Sequence, residues 1–347
     1  QGSKKHDDSY EYYDSNEAAR QQKFVQWSAR RTAIMQKYTT TGSIAMPSFV
    51  SSEVAQAGRG ANTLKARVEA IEEGDDMVNM VRASARDYVN HMTELNTELA
   101  RAWNAEERVK ALKMAIQCAK LLSDSSTPQF YPPMFVLVTE ILDTFGRLVF
   151  ERIKQKGLTE QGKRKTRVEE FGPRDVTDEA RETCRNWFYK IASIRELLPR
   201  VYMEAAIMRC YQFLSGYDDF TNTLERLSKM TRGIADPMVA AYARAYLVRC
   251  GAAINPNLKT YVRTCYLDYM QCLGQLKVLP WCKRLETTQL DGTGYRELLS
   301  PALDWIMHCL GRESAPQEAL AILKDYIARY PAGEGGGGGG PPGFGPC

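Results

Sequence analysis

The chain has 347 residues, of which 44% are hydrophobic and 25% are charged. A chain of this length and composition can bury a sizeable core, which excludes a globally disordered protein. The net charge of +4 is spread over both signs, which argues against a dedicated nucleic-acid binder. No stretch approaches the roughly 18 consecutive apolar residues of a transmembrane helix.

Residues 1–76 contain one amphipathic cluster, over residues 24–38, in sequence that is otherwise polar or rich in Ser, Gly and Ala. Its large apolar residues include Trp27 and Ile34. Such side chains gain free energy when they are buried, so we expect an extended, partly disordered arm that docks through Trp27 and Ile34. Plain disorder of residues 1–20 is the alternative.

From residue 77 to residue 330 the sequence predicts one helix after another, without strand-like alternation. Apolar residues recur at helical spacing over residues 109–122, beginning with Val109, and again over residues 135–149. Proline is favoured at the first helical position, so we expect one to open each of four helices. These prolines are Pro199, Pro237, Pro301 and Pro316.

Short segments rich in Gly, Ser and Pro separate the predicted helices, which form pairs that recur about every 35–45 residues. This pattern predicts an all-α fold, a HEAT-like α-solenoid of antiparallel helix pairs over residues 77–330. A globular helical bundle is the alternative. Residues 331–347 contain six consecutive glycines followed by prolines, which predicts a flexible tail.

No motif in the sequence supports catalysis. Residues 157–164 resemble a phosphate-binding loop, but Arg164 stands where the hydroxyl that holds magnesium is needed, and the preceding segment reads as a helix. The three histidines are isolated, and the nine cysteines form no C-x-x-C pair. We therefore expect no enzyme, no cofactor and no metal, and we expect reduced thiols in a cytosolic protein.

The segment from Ser193 to Leu214 carries the most specific signal. Two apolar-periodic stretches meet at Leu198–Pro199, and Arg200, Tyr202 and Glu204 follow in the first turn of the second stretch. A cation in the first turn of a helix is disfavoured by the helix dipole. We therefore expect a compensating acid, either Glu204 one turn later or Glu196 before the break.

Pro199, Arg200 and Tyr202 resemble the Pro-Arg-Leu-Tyr-Leu signature of the large α-solenoid subunit of retromer. The surrounding sequence resembles even more closely the equivalent subunit of Retriever, in the vacuolar-protein-sorting-35-like family. The resemblance runs in consistent order from about residue 24 to about residue 330. It is carried by residues 27–41, 88–96, 110–124, 141–149, 180–214 and 232–247.

This resemblance implies the N-terminal solenoid of a scaffold subunit in an endosomal cargo-recycling complex, located in the cytoplasm and peripherally on endosomes. The implied partner is an arrestin-fold (Vps26-like) subunit. The implied contact residues are Pro199, Arg200, Tyr202, Glu204, Arg232, Gly233 and Asp236. The alternative is that Arg200 has only a structural role, in which it holds the helical hairpin together through Glu204 and Glu196.

The same resemblance implies wider partners. These are a metallophosphatase-fold (Vps29-like) subunit, reached through regions mostly missing here, the coiled-coil/COMMD assembly of Commander, and a sorting-nexin cargo adaptor bound indirectly. Neither nucleic acid nor direct insertion into a membrane is expected. The alternatives are the retromer subunit itself, a helical-repeat RNA binder, and a HEAT-type regulatory subunit.

Overall fold

The protein is described as a computed structural model, which covers residues 26–39, 43–47, 80–158, 173–214, 217–275, 290–312 and 314–329. These residues form eleven α-helices. They are α1 (Trp27–Tyr38), α2 (Ala85–Asn104), α3 (Arg108–Leu121), α4 (Tyr131–Lys156), α5 (Asp178–Ala192), α6 (Leu197–Ala206), α7 (Tyr217–Met230), α8 (Pro237–Ile254), α9 (Thr260–Gln275), α10 (Gly292–Gly311) and α11 (Pro316–Arg329). Short 3-10 helices lie at Pro128–Phe130, Pro173–Asp175, Met208–Phe213 and Thr231–Gly233.

The helices stack in two layers. Each even-numbered helix from α2 to α8 packs against the next even-numbered helix, so that α2, α4, α6, α8 and α10 form a continuous row. Each odd-numbered helix from α3 to α9 packs against the two even-numbered helices that flank it in the chain. This arrangement confirms the predicted all-α solenoid.

Helix α4 is largely buried within the solenoid. Its predicted apolar stripe is fully buried, namely Phe135, Val138, Leu142, Phe145 and Val149. Gly146 lies on the same helix, where a Cβ would stand only 2.1 Å from the backbone oxygen of Ala206 in α6. The absence of a side chain at this glycine therefore lets α4 and α6 approach each other closely.

Two strands interrupt the helical pattern. Strand β1 (Ser43–Pro47) pairs antiparallel with β2 (Met80–Ser84), with Ser43 opposite Ser84 and Pro47 opposite Met80. The expectation of no strand beyond residue 77 was therefore wrong for β2. Pro47 is tolerated because a strand of a two-stranded sheet has an open edge, where the missing N–H costs no ladder bond.

Several helix boundaries and faces differ from the sequence-based expectation. Pro237 and Pro316 begin α8 and α11 as predicted, but Pro301 lies inside α10. Pro199 is the third residue of α6, where a backbone N–H would also have no partner within the helix. Val109 is 61% exposed, because the buried face of α3 is centred on Ala111, Ala115 and Cys118.

Candidate partner-binding site

The two segments singled out in the sequence meet at one edge of the solenoid, which we call the α6–α8 edge because helices α6 and α8 both begin there. Gly233 lies just before α8, and a Cβ on it would stand 2.8 Å from Cδ2 of Leu197, the first residue of α6. The end of α3 lies at the same edge, since Nζ of Lys120 is 2.6 Å from Oε1 of Glu196. The structure thus brings residues 196–204 and 232–236 together.

Glu204 lies between two arginines at this edge. Its side chain is 5% exposed, and its Oε1 accepts a hydrogen bond of 2.8 Å from Nε of Arg200 one turn earlier. Its Oε2 accepts a short hydrogen bond from Nη2 of Arg226, which projects from α7. Of the two candidate acids, Glu204 therefore pairs with the Arg200 side chain, whereas the Glu196 carboxylate pairs with Lys120. Glu196 meets Arg200 only through its backbone carbonyl, which accepts the Arg200 backbone N–H.

Arg226 was missed by the sequence analysis. It lies 22 residues from Glu204 on a different helix, and no local pattern links the two positions. The guanidinium groups of Arg200 and Arg226 face solvent in part, with side chains 34% and 43% exposed. The edge therefore presents two cations whose shared counter-ion is buried beneath them.

Arg232 forms a second ion pair with a buried acid. Its Nε donates a 2.8 Å hydrogen bond to Oδ2 of Asp268 in α9, and its side chain is 55% exposed whereas that of Asp268 is 9% exposed. This bond helps to raise the pKa of Arg232 above its usual value, so the side chain stays charged. Like Arg200, Arg232 uses Nε for the inner carboxylate, so this bond does not use its terminal nitrogens.

Asp236 caps helix α8. Its Oδ1 accepts hydrogen bonds from the backbone N–H groups of Met238 and Val239, at 2.9 and 3.1 Å. Its Oδ2 accepts a 2.6 Å hydrogen bond from the hydroxyl of Ser125, which follows α3. Both oxygens are thus used within the solenoid, where they fix the start of α8 relative to the end of α3.

Pro199 and Tyr202 are buried beneath the α6–α8 edge. The ring of Tyr202 is fully buried, lies 5.1 Å from the ring of Tyr246, and has its pKa raised well above the usual value by burial. Any contribution of these two residues to a partner contact therefore goes through the position of α6, which carries Arg200.

The predicted arm contains helix α1, which lies across the row of even-numbered helices. Trp27 is half-buried, with its ring 6.1 Å from Phe135 of α4 and 5.2 Å from Trp305 of α10. The Arg249 guanidinium of α8 lies 4.9 Å from the same ring. Ile34, about two helical turns further along α1, is buried. Helix α1 therefore contacts three helices that are far apart in the chain.

Pro301 explains one contact of this arm. A proline inside a helix has no N–H to donate to the carbonyl four residues earlier, which here belongs to Glu297. That carbonyl instead accepts a 2.9 Å hydrogen bond from the hydroxyl of Tyr38, the last residue of α1. The break in the hydrogen bonding of α10 thus provides an acceptor for the arm.

Within the part of the chain that the structure describes, no three His, Cys, Asp or Glu side chains are grouped so that they could hold a metal ion. None of the helices in the described ranges is long and apolar enough to cross a membrane. The described segment before Gly157 is helical, as predicted, and most of the phosphate-loop-like sequence lies outside the described residues.

The VPS35L family model matches residues 26–298 of the chain, which include helix α1, the paired strands and the α6–α8 edge. The chain belongs to the VPS35L family. Among curated proteins, it is 42% identical to the rat "VPS35 endosomal protein-sorting factor-like" over 87% of the chain and 32% of the relative. The human protein of the same name is 41% identical over 87% of the chain and 32% of the relative.

A more distant member of the VPS35L family comes from Dictyostelium discoideum. The chain is 38% identical to this "VPS35 endosomal protein sorting factor-like" over 87% of its own length and 30% of the relative. The chain thus spans about a third of the length of these VPS35L relatives. The predicted membership of the vacuolar-protein-sorting-35-like family is confirmed by these matches.

Proposed function

We propose that the chain is a scaffold, rather than an enzyme, of an endosomal sorting complex, and that its α6–α8 edge binds an arrestin-fold (Vps26-like) subunit. The family match supports the sorting role, because curated relatives are named as endosomal protein-sorting factors. The resemblance of the motif around Arg200 to the signature of solenoid sorting subunits supports the choice of partner.

One observation carries the choice of site. The two motifs named by the resemblance are about 30 residues apart in sequence, yet they lie at one edge, where Gly233 approaches Leu197 closely. At this edge Arg200 is held from below by Glu204 and remains partly exposed. A guanidinium held in this way keeps planar donors ready for backbone carbonyls or a carboxylate on a partner.

The wider assembly follows from the family as a proposal. We propose that the complex is Retriever, acting on endosomes within Commander through its coiled-coil/COMMD assembly and reaching cargo through a sorting-nexin adaptor. Contact with the metallophosphatase-fold (Vps29-like) subunit would use parts of the relatives that the chain does not span. Retromer is the less favoured assembly, since the family match is to the VPS35-like proteins.

The competing reading of Arg200 is purely structural. Its ion pair with Glu204 joins positions one turn apart on α6, and Arg226 extends the network to α7. An RNA-binding role is disfavoured, because Arg200 and Arg232 at this edge are each paired with a buried acid. RNA binding would need cations free for a row of phosphates.

The test is Arg200→Ala in the purified chain, with Arg101→Ala as its matched control. Like Arg200, Arg101 is an arginine that pairs with a buried glutamate of its own helix. Arg101 and its partner Glu98 both lie on α2, whereas Arg200 lies on α6. Binding to the arrestin-fold subunit and thermal unfolding are both measured. Binding lost only in Arg200→Ala, with unchanged melting, supports the interface. Lowered melting with binding retained would leave Arg200 only its structural role.

A further inference from the structure

The cluster of Arg200, Glu204 and Arg226 has an unbalanced charge. One buried carboxylate accepts hydrogen bonds from two guanidinium groups, so the cluster carries one surplus positive charge. The neighbouring pairs at the edge, Arg232 with Asp268 and Lys120 with Glu196, are each balanced. The surplus charge is therefore localised where α6 and α7 meet.

The two arginines keep donors that the solenoid does not use. Arg200 donates to Glu204 through Nε, so this hydrogen bond leaves both of its terminal nitrogens available. Arg226 uses Nη2 for Glu204, and its Nη1 contacts only the sulfur of Met230, a weak acceptor. In the described residues, neither arginine has a second carboxylate partner.

We propose that Arg200 and Arg226 together receive one carboxylate, an Asp or Glu side chain on the surface of the bound arrestin-fold subunit. The inference rests on the proposed function and adds to it both a residue, Arg226, and the chemistry of the partner group. A second carboxylate would balance the charge of the cluster and accept the outward donors. Two arginines and two carboxylates would then form a closed set of charge-assisted hydrogen bonds.

Glu204 positions the receiving groups. Because it is buried and bonded to both arginines, it holds the two guanidinium groups side by side and limits the rotamers that each can adopt. Long side chains ordered before binding lose less conformational entropy when the partner docks. The partial exposure of both arginines keeps the site open to an approaching acid.

The experiment compares Arg226→Gln with Arg226→Lys in binding to the purified arrestin-fold subunit, from about 50 to about 300 mM salt. Gln removes the surplus charge, whereas Lys keeps it and can still bond Glu204. We expect Arg226→Gln to weaken binding about tenfold at low salt and to flatten the salt dependence. Arg226→Lys should retain most of the affinity and the wild-type salt dependence, and Arg101→Gln should match the wild type.

Thermal unfolding separates binding from stability, because Glu204 keeps Arg200 as its partner in both variants. Wild-type affinity and salt dependence in Arg226→Gln, with binding lost in Arg200→Ala, would overturn this inference and leave the proposed function standing. Equal weakening by Gln and Lys would also overturn it, since charge would then be irrelevant. No binding by the wild-type chain would overturn the proposed function and the inference together.

Discussion

Replacing Trp27 by alanine should release helix α1 from the solenoid without unfolding the rest. The ring makes two edge-on aromatic contacts, with Phe135 and Trp305, which are worth about 0.5–1.5 kcal/mol each. The Arg249 guanidinium at 4.9 Å adds about 0.5–1 kcal/mol. Because Trp27 is only half-buried and these contributions overlap, we expect a total loss of about 2–3 kcal/mol.

A loss of this size raises the population of undocked α1 roughly 30- to 150-fold. Hydrogen exchange and limited proteolysis over residues 27–38 measure that population directly. Gln36→Ala is the matched control, because Gln36 lies exposed on the same helix. Exchange and cleavage in Trp27→Ala that equal those of the wild type would show that the ring does not hold the arm in place.

Substitutions at three further positions and one thiol-reactivity assay test other contacts. Tyr38→Phe removes the donor to the Glu297 carbonyl and should cost α1 docking about 1 kcal/mol, seen as faster exchange in α1. Asp236→Ala removes the cap of α8 and should lower stability by about 1–2 kcal/mol in urea, whereas Asp236→Asn keeps an acceptor and should cost less. Gly146→Ala forces α4 away from α6 and should cost about 3 kcal/mol; an unchanged urea midpoint would contradict the close approach. Burial raises the pKa of Cys118, Cys184 and Cys265 to about 12, so at pH 8 these thiols should react with a thiol reagent only after unfolding. Fast reaction at these positions in the folded chain would refute their burial.

The helical nature of the chain could be predicted because its evidence is local. Apolar residues spaced three and four apart identify the buried face of α4, and prolines mark the starts of α8 and α11. The same signal wrongly placed Val109 on the buried face of α3. Apolar residues cover a broad part of the surface of α3, so their spacing does not show which of them face the core. Glu204 could be named as one of two candidate partners of Arg200, because the two are one helical turn apart, but only the structure separated it from Glu196.

Contacts between distant segments were decided only by the tertiary structure. Arg226 reaches Glu204 across 22 residues, Asp236 reaches Ser125 across 111, and Tyr38 reaches Glu297 across 259. No periodicity encodes such pairs, because they depend on how the helices stack and on which side chains the stacking brings within hydrogen-bond distance. Pro301 shows this dependence. The sequence shows that Pro301 has no N–H to donate to the Glu297 carbonyl. Only the docking of α1 shows that the Tyr38 hydroxyl donates to that carbonyl instead.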